Sequence, residues 1–237
     1  MVSKNELKYL CRLGQKKIRT QYGVFPVEGK KAIETFLANG FKIVHCFGFE
    51  NQDGFPVEII SEATMKKLSN HKTPPSLWAA FSVPKTTEYI PQALNLALDG
   101  IRDPGNLGTI IRLCDWFGIQ HLLCSADTVD CFNPKTVQAS MGSLANVHVH
   151  YGNLLNYFQE HKLDIIATAM DGENMHQATL PPHAVIVVGN EGTGISAPIT
   201  ALAKKNIAIP NYGKPAAESL NVAIATGIIL SEFRRRG

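Results

Sequence analysis

The sequence predicts an α/β protein whose main sheet is mostly parallel. Short apolar strands alternate with amphipathic helices along the chain, as in a sheet covered by helices on both faces. Examples are the strand predicted at 93–98, the helix at 106–117 and the strand at 121–124. The stretch VPKTTEYIPQ has two prolines and no periodicity, which predicts a linker at about 83–92. We therefore expect a small α/β domain over residues 1–85 and a larger domain over residues 92–237.

The first domain is predicted to open with a basic amphipathic helix. Ser3 and Glu6 have the spacing of a capping box, which marks a helix start. The apolar side of this helix is expected to contain Leu7, Leu10, Cys11 and Ile18. Strands are then expected at 25–27, 41–47, 56–60 and 77–83, with helices at 29–38 and 61–68.

The positive charge is concentrated at the N-terminal end. Residues 1–31 contain eight Lys and Arg residues against two Glu, an excess of six, so with a net charge of +3 overall the remainder is net negative by three. This polarity suggests a polyanionic partner for that end, although a solvated helix face explains the charge equally well. If the cations contact phosphates, removing Lys16, Lys17 and Arg19 together flattens the salt dependence of binding.

Composition excludes several other classes of protein. The chain is 45% hydrophobic, yet it has no run of 18 apolar residues and no apolar signal core at its start, so we expect a cytoplasmic protein that does not enter membranes. Five cysteines without a Cys-x-x-Cys pair favour neither a disulfide framework nor a zinc knuckle. His148 and His150 alternate as strand neighbours do, and we interpret them as structural rather than metal-binding.

Glycine-rich loops follow three of the predicted strands. In open α/β sheets ligands bind outside the carboxyl ends of the strands, which makes the loops at Asp99, Gly189 and Pro210 candidate sites. The first loop leads into the helix at 106–117, whose apolar stripe places Asn106 at the helix start and Arg112 off the stripe. Taken alone, these two residues are explained by an ordinary cap and a solvated charge.

The second and third loops carry further polar residues. The stretch VGNEGTGIS follows a buried strand and lacks the spacings of loops that bind dinucleotides or nucleoside triphosphates. The third loop runs from a strand at 207–209 to a helix predicted to open at Glu218 and Ser219. That helix is apolar on more than one face, which favours burial against the domain or a second subunit. Ser219 and Asn221, taken alone, are typical of helix caps.

The three loops in this order resemble the motifs of the SpoU (TrmH-type) family of RNA ribose 2′-O-methyltransferases, in the SPOUT superfamily. DPGNLGTIIR is similar to the first motif, VGNEGTGIS to the second and ESLNVAIATGIIL to the third, and the similarity covers about residues 93–235. The stretch YGVFPVEGKKAIETFLANG is similar to the opening of the small ribosomal-protein-like domain that many members carry for substrate binding.

The resemblance implies a deep trefoil knot at the C-terminal end of the parallel sheet, in which the segment from residue 206 threads an earlier loop. It also implies that S-adenosylmethionine lies between the three loops, bound largely by main chain. The cofactor-binding residues implied are Gly189, Asn190, Gly192, Ile209, Pro210, Ser219 and Leu220. The resemblance implies no metal ion.

The activity implied is transfer of a methyl group from S-adenosylmethionine to a ribose 2′-hydroxyl of structured RNA. The catalytic residues implied are Arg112, Asn106, Glu191, Ser219 and Asn221. A free guanidinium stays protonated up to about pH 12, so Arg112 alone is a poor proton acceptor. We therefore favour alkoxide stabilisation by Arg112, or proton transfer assisted by an RNA phosphate, over unaided proton abstraction. Asn106 and Ser219 are expected to position Arg112 and the ribose. Asn221 is expected to hold the third loop, and Glu191 to tie loop backbone together.

The resemblance also implies partners. A substrate domain at the N-terminus favours ribosomal RNA over tRNA, and family members pair as homodimers through the knotted domain. One departure lies at the rim of the cofactor cleft, where relatives have Pro-Met before a glycine and this chain has Pro210-Asn211-Tyr212-Gly213. The alternative is a non-catalytic RNA-binding protein on the same scaffold, but the intact Arg112 and Asn221 favour the enzyme.

Overall fold

Two β-sheets organise the chain, one in each half. The computed structural model describes residues 2–213 and 219–236. The elements of the first half are α1 (Lys4–Leu10), α2 (Lys16–Tyr22), β1 (Val24–Glu28), α3 (Lys30–Ala38), β2 (Ile43–Gly48), β3 (Glu58–Ile59), α4 (Glu62–Leu68) and β4 (Leu77–Ser82).

The second half continues the alternation of strands and helices. Its elements are β5 (Leu94–Asp99), α5 (Pro104–Trp116), β6 (His121–Ser125), α6 (Pro134–Ser140), β7 (His148–Gly152), α7 (Leu154–Glu160), β8 (Ile165–Asn174), β9 (Ala184–Gly189), α8 (Ala197–Thr200), β10 (Lys205–Ala208) and α9 (Val222–Arg236). A single 3₁₀ turn at Ser143–Ala145 lies between α6 and β7.

The first sheet has the strand order β1-β4-β2-β3 and is buried on both faces at its centre. β4 pairs antiparallel with both β1 and β2, while β3 pairs parallel with β2. Alternate residues of β4 enter different apolar clusters: Trp78 packs with residues of α1, α2 and α4, whereas Phe81 packs with residues of α3. This alternation follows from the two-residue period of a strand.

The second sheet has the order β10-β8-β9-β5-β6-β7, and all of its pairings are parallel. The predicted α/β class with a mostly parallel sheet is confirmed. The central strands β5 and β9 pair along their whole length, from Leu94 opposite Ala184 to Asp99 opposite Gly189. The loops that follow these two strands therefore start side by side at one edge of the sheet.

Some element boundaries differ from those predicted. The capping box at Ser3 and Glu6 is present, but α1 ends at Leu10 and a turn separates it from α2, so one continuous helix to Ile18 was wrong. The helix cap in the first loop is Asp103 rather than Asn106, because the Asp103 carboxylate accepts from the Asn106 backbone N–H.

At the third loop, α9 begins at Val222, so Ser219 precedes the helix instead of opening it. Pro215 and Glu218 of the expected loop and helix start lie outside the described residues.

The two halves of the chain pack on each other through one shared apolar core. The ring of Phe25 in β1 lies 4.6 Å from that of Phe132, measured between centroids. Arg19 is only 3% exposed, and its guanidinium donates to Asp130 in the second half at 2.5 Å. A buried, paired arginine is not available to a phosphate. The expectation that Arg19 joins Lys16 and Lys17 in contacting a polyanion was therefore wrong.

The segment predicted as a linker has no regular secondary structure, but it is anchored at one point. Tyr89 is buried and its hydroxyl donates to Asn95 at 2.7 Å. Its ring meets those of His121 and His150, whose nitrogens Nδ1 and Nε2 lie 2.9 Å apart. Burial, with His121 and His148 nearby, lowers the pKa of His150 to about 4. The histidines thus pack as neutral structural groups.

The described part of the chain contains neither a candidate membrane-spanning helix nor a cluster of candidate metal ligands. None of its helices is both long and apolar enough to cross a membrane. Within residues 2–213 and 219–236, no group of three or more His, Cys, Asp or Glu side chains is placed to hold a metal ion.

Candidate functional site

The three candidate loops meet through one chain of hydrogen bonds between side chains. Asn106 of α5 donates from Nδ2 to Glu191 Oε1 at 2.5 Å, and its Oδ1 accepts from Asn221 Nδ2 at 3.0 Å. Asn106 thus bridges the loop after β9 and the start of α9, which are 85 and 115 residues away in sequence. We call this set the Glu191–Asn106–Asn221 chain.

The chemistry of Glu191 orients both amides of this chain. An ionised carboxylate only accepts hydrogen bonds, so the Asn106 side chain must turn its NH₂ group to Glu191 and its oxygen to Asn221. Asn221 then uses its NH₂ group toward Asn106, which leaves its Oδ1 to accept from the backbone N–H groups of Ala223 and Ile224 at 3.0 and 3.2 Å. Asn221 is therefore the N-cap of α9.

Asn106 is held in place by the first turn of α5. Asp103 accepts from the Asn106 backbone N–H at 2.9 Å, and Pro104 occupies the first helical position. This backbone hydrogen bond, helped by Lys135 at 3.2 Å, lowers the pKa of Asp103 below its ordinary value. Gly108 brings α5 against α6, because a Cβ there would lie 2.5 Å from the carbonyl oxygen of Thr136.

The loop after β9 folds back on itself around Asn190. Asn190 Oδ1 accepts from the backbone N–H groups of Gly192 and Thr193, and Nδ2 donates to the Gly100 carbonyl at 2.8 Å. The expected backbone-tying role therefore falls to Asn190, while Glu191 binds Asn106 instead. Gly189 is required by this fold-back, because a Cβ there would lie 2.4 Å from the Gly194 carbonyl carbon.

Arg112 and Ser219 lie outside the Glu191–Asn106–Asn221 chain. Arg112 is exposed on α5 and makes no hydrogen bond or ion pair with any residue that the structure describes. It is six residues beyond Asn106, which corresponds to about 9 Å along the helix axis and a different side of the helix. Within the described residues Asn106 makes no hydrogen bond to Arg112, so its expected role in positioning Arg112 stays a prediction. Ser219 is exposed and likewise has no hydrogen bond to the described part of the chain.

The residues implied to hold S-adenosylmethionine lie at the end of β9 and in the loop that follows it, directly after β10 and directly before α9. Gly189 and Asn190 are half-buried on one side, and Ile209 and Pro210 are half-buried after β10. Leu220 is 49% exposed immediately before the Asn221 cap. An exposed apolar side chain in this position fits an adenosine that is sandwiched by apolar groups and read by backbone.

Other implied residues at the rim are more open. Gly192 is exposed, and a Cβ there would meet only the Asn190 side chain at 3.5 Å, so the packing of the chain itself does not require glycine at this position. Tyr212, part of the departure from the family pattern, is 87% exposed. Asn211 turns the rim by accepting from the Gly213 N–H at 2.9 Å. Residues 214–218 lie outside the described part of this loop.

A cavity of about 810 Å³ lies between the loop after β5 and the loop of Asn190, two of the loops that the sequence made candidate sites. Asp99, at the end of β5, accepts a hydrogen bond from the Ser196 N–H at 2.7 Å, and both residues line the cavity. Arg102 and Asp127 bring charge to its lining. Arg102 directly follows the strand-end residues Asp99 to Ile101, and that position was the only sequence signal for it.

An apolar groove runs between α5 and α9. It is lined by Thr109, Leu113, His176, Ala223, Ile224, Gly227, Ile228, Ser231 and Glu232. Ile224 is 59% exposed and Ile228 is 37% exposed, and Trp116 on α5 is 83% exposed. Since a single chain leaves these large side chains in solvent, the groove marks a surface suited to a partner.

Comparison with known proteins agrees with this geometry. Residues 93–231 match the SpoU rRNA Methylase family, and residues 4–79 match the MRM3-like substrate binding domain. The 23S rRNA guanosine 2′-O-methyltransferase RlmP of Bacillus subtilis is 29% identical over 94% of this chain and 93% of its own.

Solved structures are similar over the full length. A TrmH-family protein from Porphyromonas gingivalis is 37% identical, with a TM-score of 0.88 and all of both chains covered. An rRNA methyltransferase from Sinorhizobium meliloti, solved with bound AdoMet, is 28% identical with a TM-score of 0.85, covering 100% of this chain and 97% of that one.

The Asn221 cap can be tested by stability. Replacing Asn221 with alanine removes both the α9 cap and the link to Asn106, so we expect the free energy of unfolding to fall by about 1–2 kcal/mol in denaturant titrations. Ser219→Ala, two residues earlier and exposed, is the matched control and is expected to change it by less than about 0.5 kcal/mol. Equal losses in both variants would contradict the assignment of Asn221 as the cap.

Proposed function

Because the chain belongs to the SpoU rRNA methylase family and is an S-adenosylmethionine-dependent ribose 2′-O-methyltransferase, we propose that its substrate is ribosomal RNA. The observation that carries the proposal is the Glu191–Asn106–Asn221 chain, which joins all three family motifs in one place. The relative from Bacillus subtilis, which is named for 23S rRNA and covered almost entirely, favours ribosomal RNA over tRNA.

The proposed work of the protein is mainly positioning. S-adenosylmethionine supplies an activated methyl group when bound. The loops after β9 and β10 and the residues before α9 would hold this cofactor, and the residues proposed to do so are Gly189, Asn190, Gly192, Ile209, Pro210, Ser219 and Leu220. Aligning the ribose 2′-oxygen with the methyl carbon contributes about 7–11 kcal/mol in well-oriented cases.

Arg112 is proposed to act on the reacting oxygen. Its guanidinium is exposed and not engaged by the described residues, so its donors are free for an RNA phosphate or the developing alkoxide. The Glu191–Asn106–Asn221 chain is proposed to fix the loops around this reaction rather than to exchange protons. In the alternative, a non-catalytic RNA-binding protein, Arg112 would have no catalytic role.

We propose that the protein is a homodimer formed through the groove between α5 and α9. The exposed Ile224, Ile228 and Trp116 give this surface an apolar centre, as self-complementary interfaces have. Arg112 is exposed on α5 one turn before Trp116, so pairing places it at the edge of the interface.

We also propose the domain division at 1–85 and 92–237, a knot in the second domain and a cytoplasmic location, where ribosomal RNA is modified. Support for the division comes from the two separate sheets. Support for the knot comes from the close approach of the paired strands β8 and β10, whose register shifts between Asn206 and Ile207 and where a Cβ on Gly172 would lie 2.6 Å from the Ile207 carbonyl carbon. α9 then returns to pack against α5 and β9.

Substitution of Arg112 tests catalysis separately from cofactor binding. We expect Arg112→Ala to lower kcat for methyl transfer to ribosomal RNA by about 100-fold or more, with the Kd for S-adenosylmethionine nearly unchanged in calorimetry. Arg112→Lys keeps the charge but loses the planar fork, so partial activity indicates charge stabilisation and no activity indicates geometry. Lys85→Ala, which removes an exposed linker cation, is the control. Transfer by Arg112→Ala at the parent rate would contradict a catalytic role for Arg112 and return the choice of catalytic group to Glu191 or Ser219.

The dimer is tested by a charge in the groove. We expect the parent protein to sediment as a dimer at micromolar concentration and Ile224→Asp to sediment as a monomer, because an unpaired carboxylate in an apolar interface is costly. Met170→Asp places the same charge at a side chain that is 71% exposed on β8, and it is expected to remain a dimer. A monomeric parent would remove the proposal.

A further inference from the structure

Two tyrosine rings are stacked on the surface of the first half of the chain. Tyr9 of α1 and Tyr22 of α2 have ring centroids 3.9 Å apart and planes inclined by only 6°. Tyr22 is 45% exposed, which leaves much of its side chain open to solvent. The rings come from different helices, so the stack depends on the packing of α1 against α2.

The stack is held in place from below. The Tyr9 hydroxyl and His45 Nε2 lie 2.9 Å apart, within hydrogen-bond distance. The His45 ring is in turn stacked on that of Phe47, which is 1% exposed in the apolar cluster beneath α1 and α2. Tyr9 is thus fixed between the core and Tyr22. A ring held this way loses little conformational freedom when another flat group is added to the stack.

The helices that carry the rings are strongly basic. Residues 4–22 include five exposed cations, which are Lys4, Lys8, Arg12, Lys16 and Lys17. The same segment contains a single carboxylate, Glu6, which is engaged in the α1 capping box. Arg19 is excluded because it is buried against Asp130. A flat aromatic surface among exposed cations is complementary to a nucleic acid, because the backbone is anionic and each base has a π-face.

We propose that Tyr22 is a stacking platform for an unpaired base of the RNA substrate, with the lysines of α1 and α2 contacting the phosphates on either side. The inference rests on the proposed function, because it names how that substrate is gripped. Paired bases are already stacked on their neighbours, so the platform selects single-stranded loops or bulges over continuous duplex. A protein partner on the same surface would not require the cations.

The test uses the full-length protein and two RNA probes, a single-stranded twelve-nucleotide oligoadenylate and a twelve-base-pair duplex. We expect Tyr22→Ala to weaken binding of the single strand by about tenfold in fluorescence anisotropy, a typical loss for one stacked base. Duplex binding is expected to stay within about twofold of the parent. Tyr22→Phe, which keeps the ring, is expected to bind both probes like the parent and also controls for folding.

Salt dependence separates stacking from charge. We expect Tyr22→Ala to leave the slope of log Kd against log salt unchanged, whereas replacing Lys16 and Lys17 together with glutamine lowers it by about one to two. Phe49→Ala is the matched control, since Phe49 is 40% exposed in the same half of the chain and has no ring stacked on it among the described residues. It is expected to change neither affinity nor slope.

Two results would overturn the platform: parent-like binding of the single strand by Tyr22→Ala, or an equal loss for single strand and duplex. Failure of the inference is distinguishable from failure of the proposed function. Methylation of ribosomal RNA by the parent, with no effect of Tyr22→Ala on binding, rejects the platform alone. Tyr22-dependent binding without methyl transfer to ribosomal RNA rejects the proposed substrate alone.

Discussion

The hydrogen bonds of Asn106 to Glu191 and Asn221 are the interaction on which the site depends. They join three loops that the chain presents far apart in sequence, and they leave each amide only one orientation. These hydrogen bonds require little further ordering of α5, because α5 is already fixed by the Asp103 cap and by close packing on α6 at Gly108. Removing the central amide would leave a carboxylate and a helix cap without their shared partner.

The first half of the chain supports the same network from a distance. Arg19 binds Asp130 in the loop before α6, and Phe25 packs on Phe132 in that loop. α6 in turn packs along α5, which carries Asn106. The first half of the chain is thus continuous with the second through one apolar core, which fixes the first sheet relative to the helix that carries Asn106.

The alternation of apolar strands and helices was sufficient to predict the parallel sheet. The strands β5, β6 and β9 are short runs of apolar residues, and such runs indicate buried strands directly. Side-chain partners were harder to predict. Asn106 was expected to cap α5, but Asp103 three residues earlier accepts the backbone N–H instead. Arg19 looked like its neighbours Lys16 and Lys17, yet tertiary packing buries it. The backbone-tying role expected of Glu191 belongs to Asn190, because the reach of each side chain depends on how the loop folds back at Gly189.

Asn106 must donate to Glu191 for the three loops to form the proposed cofactor site. The most direct measurement is calorimetric titration of S-adenosylmethionine into the parent and Asn106→Asp at pH 8 and pH 6. The substitution keeps the shape of the side chain but sets two carboxylates against each other, so affinity at pH 8 is expected to fall by about tenfold or more. At pH 6 part of that loss is expected to be recovered, because a shared proton restores the donor. Parent-like affinity of Asn106→Asp at pH 8 would contradict the account.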